Sequence, residues 1–259
     1  MATTSSSPIY EARDIERAYG SVLALQGASF DVYPGEVSAL IGDNGAGKST
    51  LVRILSGVEQ ADAGTILFEG KPITLANPTD ARDRGIETVF QDLALANHLD
   101  PIQNMYLGRE VMKAGLLGHL GFMERAKMRS AGREAFTNLG ATVNNFSGPV
   151  GGMSGGQRQA IAVARAATWA GRVILLDEPT AALGVVQTKV VLDLIRRIRD
   201  KGIGVVLISH SMPHVLGVAD RVHVLRWGRR VAVYEAAKTN LEELVGAMTG
   251  ALDGMEEVA

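Results

Sequence analysis

The strongest chemical signal in the sequence is a loop that fits the phosphate-binding pattern G-x-x-x-x-G-K-[ST]. The loop reads Gly42-Asp43-Asn44-Gly45-Ala46-Gly47-Lys48-Ser49-Thr50. An apolar strand precedes it and a segment of helical composition follows, so backbone N–H groups and a helix N-terminus can converge on a phosphate. Gly45 and Gly47 are expected to leave room where a Cβ would obstruct the anion. Lys48 is expected to bridge terminal phosphates, and the Ser49 hydroxyl to ligate Mg²⁺.

Two acidic residues, Asp177 and Glu178, end a short apolar strand. A buried strand can also end in solvated carboxylates, so this pattern is weak alone and gains its meaning from the phosphate-binding loop. In that setting Asp177 is predicted to hold Mg²⁺, directly or through water. Glu178 is predicted to polarise an attacking water as a general base.

A third candidate anion site is the sequence Ser154-Gly155-Gly156-Gln157, which leads into a predicted helix at 158–170. The helix N-terminus would offer exposed N–H groups, and the small residues would admit an anion. Ser154 could instead be a simple helix cap. Capping is not expected to require the Gly-Gly-Gln that follows, which favours a second phosphate-facing site.

The composition limits the classes of protein that these motifs can belong to. In 259 residues, 46% are hydrophobic and 21% charged, which excludes disorder as the main state. The net charge of −2 argues against a broad basic nucleic-acid face, and the absence of cysteine excludes thiolate chemistry. No apolar run is long enough for a transmembrane helix. Residues 1–8 are predicted to be disordered and are not typical of a secretory signal.

The order of the predicted elements indicates an α/β fold. Strands are predicted at 9–17, 28–33, 36–41, 65–68 and 85–90, with a hairpin turn at 69–72. Residues 92–152 carry helical spacing and are predicted to be an inserted helical block. Later strands are predicted at 173–176, 205–208 and 222–225. One helical face is predicted to carry Val186, Val190, Val191, Leu194, Ile195 and Ile198. This alternation favours a mostly parallel sheet with a subdomain.

As a set, the motifs resemble the ATPase subunit of an ABC transporter. The motifs are the phosphate-binding loop, Ser154-Gly-Gly-Gln157, Leu175-Leu-Asp-Glu-Pro-Thr180 and, beyond them, His210. The resemblance extends from about Tyr10 to the last helix. It implies a P-loop NTPase core with a mostly parallel sheet, an N-terminal antiparallel β-subdomain and an inserted helical subdomain. The domain would span 9–259, with the helical subdomain at 92–152.

The resemblance also implies a head-to-tail dimer that binds two ATP molecules. Each ATP would lie between the phosphate-binding loop of one copy and the Ser154, Gly155 and Gly156 motif of the other. Tyr19 matches an aromatic residue that stacks on adenine, although a turn aromatic could simply pack on the β-subdomain. Gln91 matches a glutamine that senses Mg²⁺ and the attacking water and that links the ATPase to the membrane subunit. His210 matches a histidine that contacts the γ-phosphate, although a lone histidine at a strand end is more often a cap or a surface residue.

Two positions depart from the common pattern of that family. Met153 stands where leucine is usual, and the flexible methionine side chain substitutes readily for it. Gly184, in Ala181-Ala-Leu-Gly184, stands where many relatives carry an aspartate that makes contacts across the dimer. ATPases of monosaccharide importers resemble the chain in this substitution, in Gln91-Asp-Leu-Ala-Leu and in Asn104-Met-Tyr-Leu-Gly-Arg-Glu110.

These resemblances predict an ATPase subunit that uses ATP and Mg²⁺ to power simple-sugar import. Its expected partners are two permease subunits, a periplasmic or extracellular solute-binding protein and a second copy of itself, with no nucleic acid. It would lie on the cytoplasmic face of the membrane. The alternatives are an importer ATPase for an amino acid or metal complex, an exporter ATPase, an ABC ATPase acting on DNA or ribosomes, and a P-loop kinase.

Overall fold

A computed structural model describes residues 7–141, 143 and 145–251, so most of the predicted disordered segment 1–8 lies outside the described residues. The strands are β1 (Tyr10–Tyr19), β2 (Val22–Val32), β3 (Val37–Ile41), β4 (Ala63–Phe68), β5 (Lys71–Ile73), β6 (Ile86–Val89), β7 (Val173–Asp177), β8 (Gly204–Ile208), β9 (Arg221–Arg226) and β10 (Arg229–Glu235). The helices are α1 (Lys48–Leu55), α2 (Pro78–Asp83), α3 (Pro101–Tyr106), α4 (Leu116–His119), α5 (Arg125–Leu139), α6 (Gly155–Trp169), α7 (Val185–Asp200), α8 (Met212–Val218) and α9 (Leu241–Thr249).

The larger sheet has the strand order β10-β9-β3-β8-β7-β6, and every neighbouring pair except β10 with β9 is parallel. Its central strands β3, β8 and β7 are mostly apolar and are buried on both faces, as expected for parallel strands that are covered on both sides. In β7, Val173 and Leu175 pack with α1 and the smaller sheet. Ile174 and Leu176 point the other way and pack with α6 and α7. The predicted mostly parallel sheet is confirmed.

The smaller sheet is antiparallel, with the order β2-β1-β4-β5, and confirms the predicted N-terminal β-subdomain. The strand predicted at 28–33 begins six residues earlier, at Val22. Its first residues were missed because Val22 and Leu23 are exposed and because register irregularities between β1 and β2 break the polar–apolar alternation. The turn at Gly20 and Ser21 closes this hairpin by pairing Tyr19 with Val22.

The segment between β6 and α6 contains α3, α4 and α5, in keeping with its predicted helical spacing. Buried residues of α3 and α5, such as Ile102, Met105 and Phe136, share one core with α6 and the larger sheet. The domain limits 9–259 and 92–152 remain predictions.

One expectation about α7 was wrong, and one strand was missed. Val186 is 72% exposed, whereas Val191, Leu194, Ile195 and Ile198 of α7 are buried. At 100° per residue Val186 lies about a third of a turn from the centre of that buried stripe. The sequence analysis also missed β10, which is an antiparallel edge strand with no fully buried residue. Among the described residues, no helix is long and apolar enough to cross a bilayer.

One polar side chain, His223 of β9, lies in the core against Phe30, with the ring centroids 4.4 Å apart. Neither of its ring nitrogens has a hydrogen-bond partner. Burial, together with the nearby guanidinium groups of Arg230 and Arg221, lowers the pKa of His223 to about 3. Those guanidinium groups pair with the carboxylates of Asp31 and Glu36, so neither carboxylate is free to favour a charged imidazole.

This histidine makes folding stability sensitive to acid. In the unfolded chain its pKa is about 6.5, so the folded state binds fewer protons, and stability falls as pH decreases from about 6.5 to about 3. Between pH 7 and pH 5 we expect a loss of about 2 kcal/mol from this residue alone. Urea unfolding of the unmodified chain and of His223→Leu at both pH values measures it. An equal loss in both proteins would contradict this assignment.

Candidate active site

The phosphate-binding loop lies where the sequence predicts, between β3 and α1, at the carboxyl end of a central strand. Lys48 is the first residue of α1, and its Nζ donates hydrogen bonds to the carbonyl oxygens of Gly42 (2.7 Å) and Asp43 (2.9 Å). The loop therefore curls around the ammonium group. No side chain caps the N-terminus of α1, which leaves the first-turn N–H groups available to an anion.

The structure gives one glycine of this loop, Gly47, a different reason from the one expected from sequence. A Cβ at Gly47 would lie 2.5 Å from the carbonyl oxygen of Ala24 in β2, and the φ of Gly47 is +100°. The close neighbour of Gly47 is therefore protein backbone, which corrects the expectation that its Cβ would obstruct the anion. Gly45 also has a positive φ, of +84°, but a Cβ there would meet no atom within 4 Å. Of these two glycines, only Gly45 has the open space that is expected where a glycine leaves room for an anion.

The two acidic residues and His210 converge because β7 and β8 are neighbouring parallel strands. Asp177 ends β7 and pairs in register with Ile208, and the Glu178 N–H donates to the Ile208 carbonyl (3.0 Å). The His210 Nδ1 lies 2.9 Å from Glu178 Oε2. Glu178 has a φ of +50°, a backbone conformation that non-glycine residues adopt at a cost and that occurs often at functional sites.

The electrostatics of the site follow from burying opposite charges close together. Burial lowers the pKa of Lys48, while the carboxylates of Glu178, Asp43 and Asp177 oppose that shift. Burial raises the pKa of Asp177, the charge of Glu178 raises it further, and Lys48 acts in the opposite direction. Asp177 and Glu178 thus form a region of negative charge that a cation would stabilise.

An open cleft beside the phosphate-binding loop is lined by Ser49, Gln91 and Asp177, the three residues predicted to hold Mg²⁺. A hydroxyl, an amide and a carboxylate are the oxygen donors that Mg²⁺ prefers. Arg53, which the sequence analysis missed, also lines this cleft. Its position four residues after Ser49 on α1 was the available signal, because such residues share a helix face.

The Ser154 motif forms a helix cap, and this changes one part of its interpretation. The Ser154 hydroxyl accepts from the Gln157 N–H (3.3 Å), and Gln157 Oε1 accepts from the Ser154 N–H (3.0 Å). This reciprocal capping box explains Gln157 structurally, so the expectation that capping does not require it was wrong. A Cβ at Gly156 would lie 2.4 Å from Gln187 of α7, so close helix packing explains Gly156 too. Only Gly155 faces open space.

Tyr19 lies at the end of β1 and is 40% exposed. Its hydroxyl hydrogen-bonds the Glu59 carboxylate, and the Arg17 guanidinium lies 5.1 Å from the ring centroid. A partly exposed aromatic ring remains available for stacking, and its role with adenine remains a prediction. Gly184 is the N-cap residue of α7, with no side chain to cap that helix.

Comparison with known proteins decides the family. A family described as "ABC transporter" matches residues 25–181, more than half of the chain, and the match includes the phosphate-binding loop, Ser154 and Glu178. The chain belongs to the ABC transporter family. Three relatives of this ABC protein are named as sugar import ATP-binding proteins.

The fructose import ATP-binding protein of Rhizobium meliloti is 47% identical, and the alignment covers 98% of both chains. The xylose/arabinose import ATP-binding protein of Sulfolobus acidocaldarius is 43% identical, over 94% of both chains. A ribose import ATP-binding protein of Escherichia coli O157:H7 is 39% identical, over 95% of this chain and 47% of that protein.

Solved structures give the same fold. The ADP conformation of an ATP-binding cassette from an ABC transporter matches with a TM-score of 0.76 at 25% identity, covering 94% of this chain and 96% of that one. A nucleotide-free cassette matches with a TM-score of 0.75 at 26% identity, over 93% of this chain and 95% of the other. The predicted P-loop ABC ATPase fold is confirmed.

Proposed function

We propose that the chain is the ATP-hydrolysing subunit of an ABC importer for a simple sugar. The observation that carries this proposal is its identity of 47% and 43%, over nearly the full length, to importer subunits named for fructose and for xylose or arabinose. The paired Glu178 and His210 beside Lys48 support the hydrolytic part, because they bring a base, a hydrogen-bonding partner and a phosphate-binding cation to one site.

The phosphate-binding loop would bind the nucleotide through backbone N–H groups and Lys48. The ammonium donates hydrogen bonds to two carbonyl groups, so binding of a phosphate would exchange neutral acceptors for a charged one. The Tyr19 ring would cover the adenine. Thr50 follows Ser49 in the first turn of α1 and completes the loop sequence.

Ser49, Gln91 and Asp177 would hold Mg²⁺, since they supply three oxygen donors around one cleft. When bound, Mg²⁺ would neutralise charge on the transferring phosphoryl group. Ionised Asp177 is the form that binds a cation, and Lys48 favours that form.

Glu178 would act as the general base of hydrolysis. Its carboxylate would accept a proton as a water oxygen bonds to the γ-phosphorus and the bond from that phosphorus to ADP breaks, which gives ADP and phosphate. His210 would keep the Glu178 carboxylate oriented through their 2.9 Å contact and would reach the γ-phosphate with its exposed side chain. Gln91, at the rim of the cleft, would sense the same water.

Two copies would enclose ATP head to tail. The Ser154 hydroxyl and the N–H groups at the start of α6 would meet the γ-phosphate bound to the opposite copy, and open space at Gly155 supports this. ATP would therefore hold the dimer closed, and hydrolysis would release it. The dimer would act on two permease subunits at the cytoplasmic face of the membrane, and a solute-binding protein would deliver the sugar.

Uptake measurements test this function. We expect cells that contain the permease and binding-protein partners to accumulate labelled fructose, xylose or ribose with the unmodified chain and to accumulate none above background with Glu178→Gln. Labelled leucine serves as the control for solute class. Equal sugar uptake with both forms of the chain, or selective uptake of leucine, would contradict the proposal.

A further inference from the structure

The Tyr19 side chain, at the end of the β1–β2 hairpin, lies near the phosphate-binding loop. Tyr19 pairs with Val22, and Ala24, two residues further along β2, is the strand residue that approaches Gly47. A strand rises about 3.3 Å per residue, so Val22 lies roughly 7 Å along the strand from Ala24. The exposed Tyr19 ring is therefore at a distance that one nucleotide can span from the loop.

One face of the Tyr19 ring is covered by Arg17. The Arg17 guanidinium lies over the ring, 5.1 Å from its centroid. Asp62 holds Arg17 there, because Arg17 Nη1 lies 2.7 Å from Asp62 Oδ1. The other oxygen of Asp62 accepts from the Ala18 N–H (2.7 Å), which fixes this carboxylate at the end of β1. The part of the ring that stays exposed is left for a ligand.

The Glu59 carboxylate joins the Tyr19 ring to the helix that follows the phosphate-binding loop. Its Oε2 atom accepts from the Tyr19 hydroxyl and lies 3.6 Å from Arg17 Nε. Its Oε1 atom accepts from Arg53 Nη1 (3.2 Å), and the Glu59 N–H donates to the Arg53 carbonyl (3.1 Å). Arg53 belongs to α1 and lines the cleft beside Ser49. A single carboxylate therefore fixes the ring relative to α1.

These charged groups are partly exposed, which limits what they contribute to stability. The Glu59 side chain is 19% exposed and that of Arg17 is 26% exposed. Ion pairs in contact with solvent contribute little to the free energy of unfolding. A side chain that is already ordered, however, does not lose its rotamer freedom when a ligand binds, so the ligand binds more tightly. The contacts around Tyr19 are therefore better explained by orientation of the ring than by folding stability.

The chemistry of the exposed ring indicates a flat aromatic ligand. Stacking requires a π-face, and every nucleobase has one. Stacking alone does not recognise the hydrogen-bonding edge of the base, so adenine and guanine should be held alike. A polyphosphate without a base has no surface that can stack.

We propose that Glu59 is a positioning residue for the nucleotide base. Its carboxylate fixes the Tyr19 ring relative to α1, and the purine stacks on the part of the ring that Arg17 leaves exposed. This inference rests on the proposed function and identifies a residue that acts on the base through Tyr19, without touching the nucleotide itself.

Removing the hydrogen bond between Glu59 and Tyr19 from either side tests the proposal. Calorimetric titrations in the presence of EDTA compare ATP with tripolyphosphate, which has neither base nor sugar. We expect Glu59→Ala and Tyr19→Phe each to weaken ATP binding by about 2- to 12-fold, the cost of fixing one side chain during binding. Tripolyphosphate affinity should stay within about twofold, because the freed Arg53 side chain is 53% exposed and is screened by solvent.

The double variant distinguishes positioning from a general structural role. If Glu59 acts through the Tyr19 hydroxyl, Glu59→Ala should cause no further loss of ATP affinity once Tyr19→Phe is present. Glu59→Gln keeps an acceptor for the hydroxyl and should retain most of the affinity. GTP should lose affinity by the same factor as ATP in each variant.

A matched control lies at the opposite end of β3 from the phosphate-binding loop. The Arg221 guanidinium lies 4.4 Å from the Tyr33 ring centroid, and Arg221 Nη2 lies 3.4 Å from Glu36 Oε2. These are the same three residue types in a similar arrangement. Tyr33→Phe and Glu36→Ala should leave ATP affinity within about twofold, because distant sites act independently.

Four outcomes would overturn the proposal. They are an unchanged ATP affinity in both single variants, an equal loss for ATP and tripolyphosphate, additive losses in the double variant, and a loss for ATP without a loss for GTP. Each of them leaves the proposed function in place. An unmodified chain that bound no ATP would instead overturn the proposed function itself.

Discussion

Replacing Glu178 by glutamine should abolish most ATP hydrolysis while ATP binding persists. Glutamine keeps the size of the side chain and can still hydrogen-bond His210, but it accepts no proton from water. A positioned general base contributes about 10²- to 10⁴-fold to the rate, and we expect a loss in that range.

The same substitution should trap the closed dimer, because ATP that is not hydrolysed keeps bridging two copies. Light scattering of Glu178→Gln with ATP, in the presence of EDTA, should give twice the mass measured without nucleotide. Glu69→Gln is the matched control, since Glu69 is an exposed carboxylate in the β-subdomain, between β4 and β5, and pairs with Arg172. Hydrolysis by Glu178→Gln at the unmodified rate would remove Glu178 from the role of base.

The parts of the fold that could be predicted from sequence are those that a local motif or a continuously apolar strand identifies. The phosphate-binding loop, with an apolar strand before it and a helix after it, is a local pattern, and β3 and α1 form around it. The central strands β7 and β8 were found because both of their faces are buried, which makes them continuously apolar. The strand β10 and the first half of β2 were missed because their short apolar runs, Val231-Ala-Val-Tyr234 and Val22-Leu-Ala-Leu25, do not alternate with polar residues as antiparallel strands commonly do.

The contacts within the site could not be predicted from sequence, because most of them join residues that are far apart in the chain. Glu178 and His210 were each proposed from sequence, but their 2.9 Å contact depends on β7 and β8 being neighbours. The contact of Gly47 with Ala24 in β2 depends in the same way on tertiary packing. The capping box of Ser154 and Gln157 is local, and the serine followed three residues later by glutamine was a legible signal that the sequence analysis interpreted too narrowly.

Replacing Lys48 by alanine should weaken nucleotide binding itself, unlike the change at Glu178. The Lys48 ammonium is the cation at the centre of the loop, held by the carbonyls of Gly42 and Asp43. A hydrogen bond to a charged group contributes about 1.5–3 kcal/mol, which corresponds to a loss of about 10- to 150-fold in ATP affinity. Calorimetric titration with ATP in the absence of Mg²⁺ measures this loss without interference from hydrolysis.

The control for Lys48→Ala separates loss of a phosphate contact from loss of the fold. Lys201→Ala removes an equal charge from an exposed residue at the end of α7, and ATP affinity should be unchanged there. In Lys48→Ala the freed carbonyl of Asp43 belongs to an exposed residue that water can reach, and only that of Gly42 belongs to a buried one, so thermal stability should change only a little. An unchanged ATP affinity in a stably folded Lys48→Ala would contradict the assignment of the loop. A weakened affinity with an unchanged melting temperature would assign the energetic role to Lys48 in binding the phosphates.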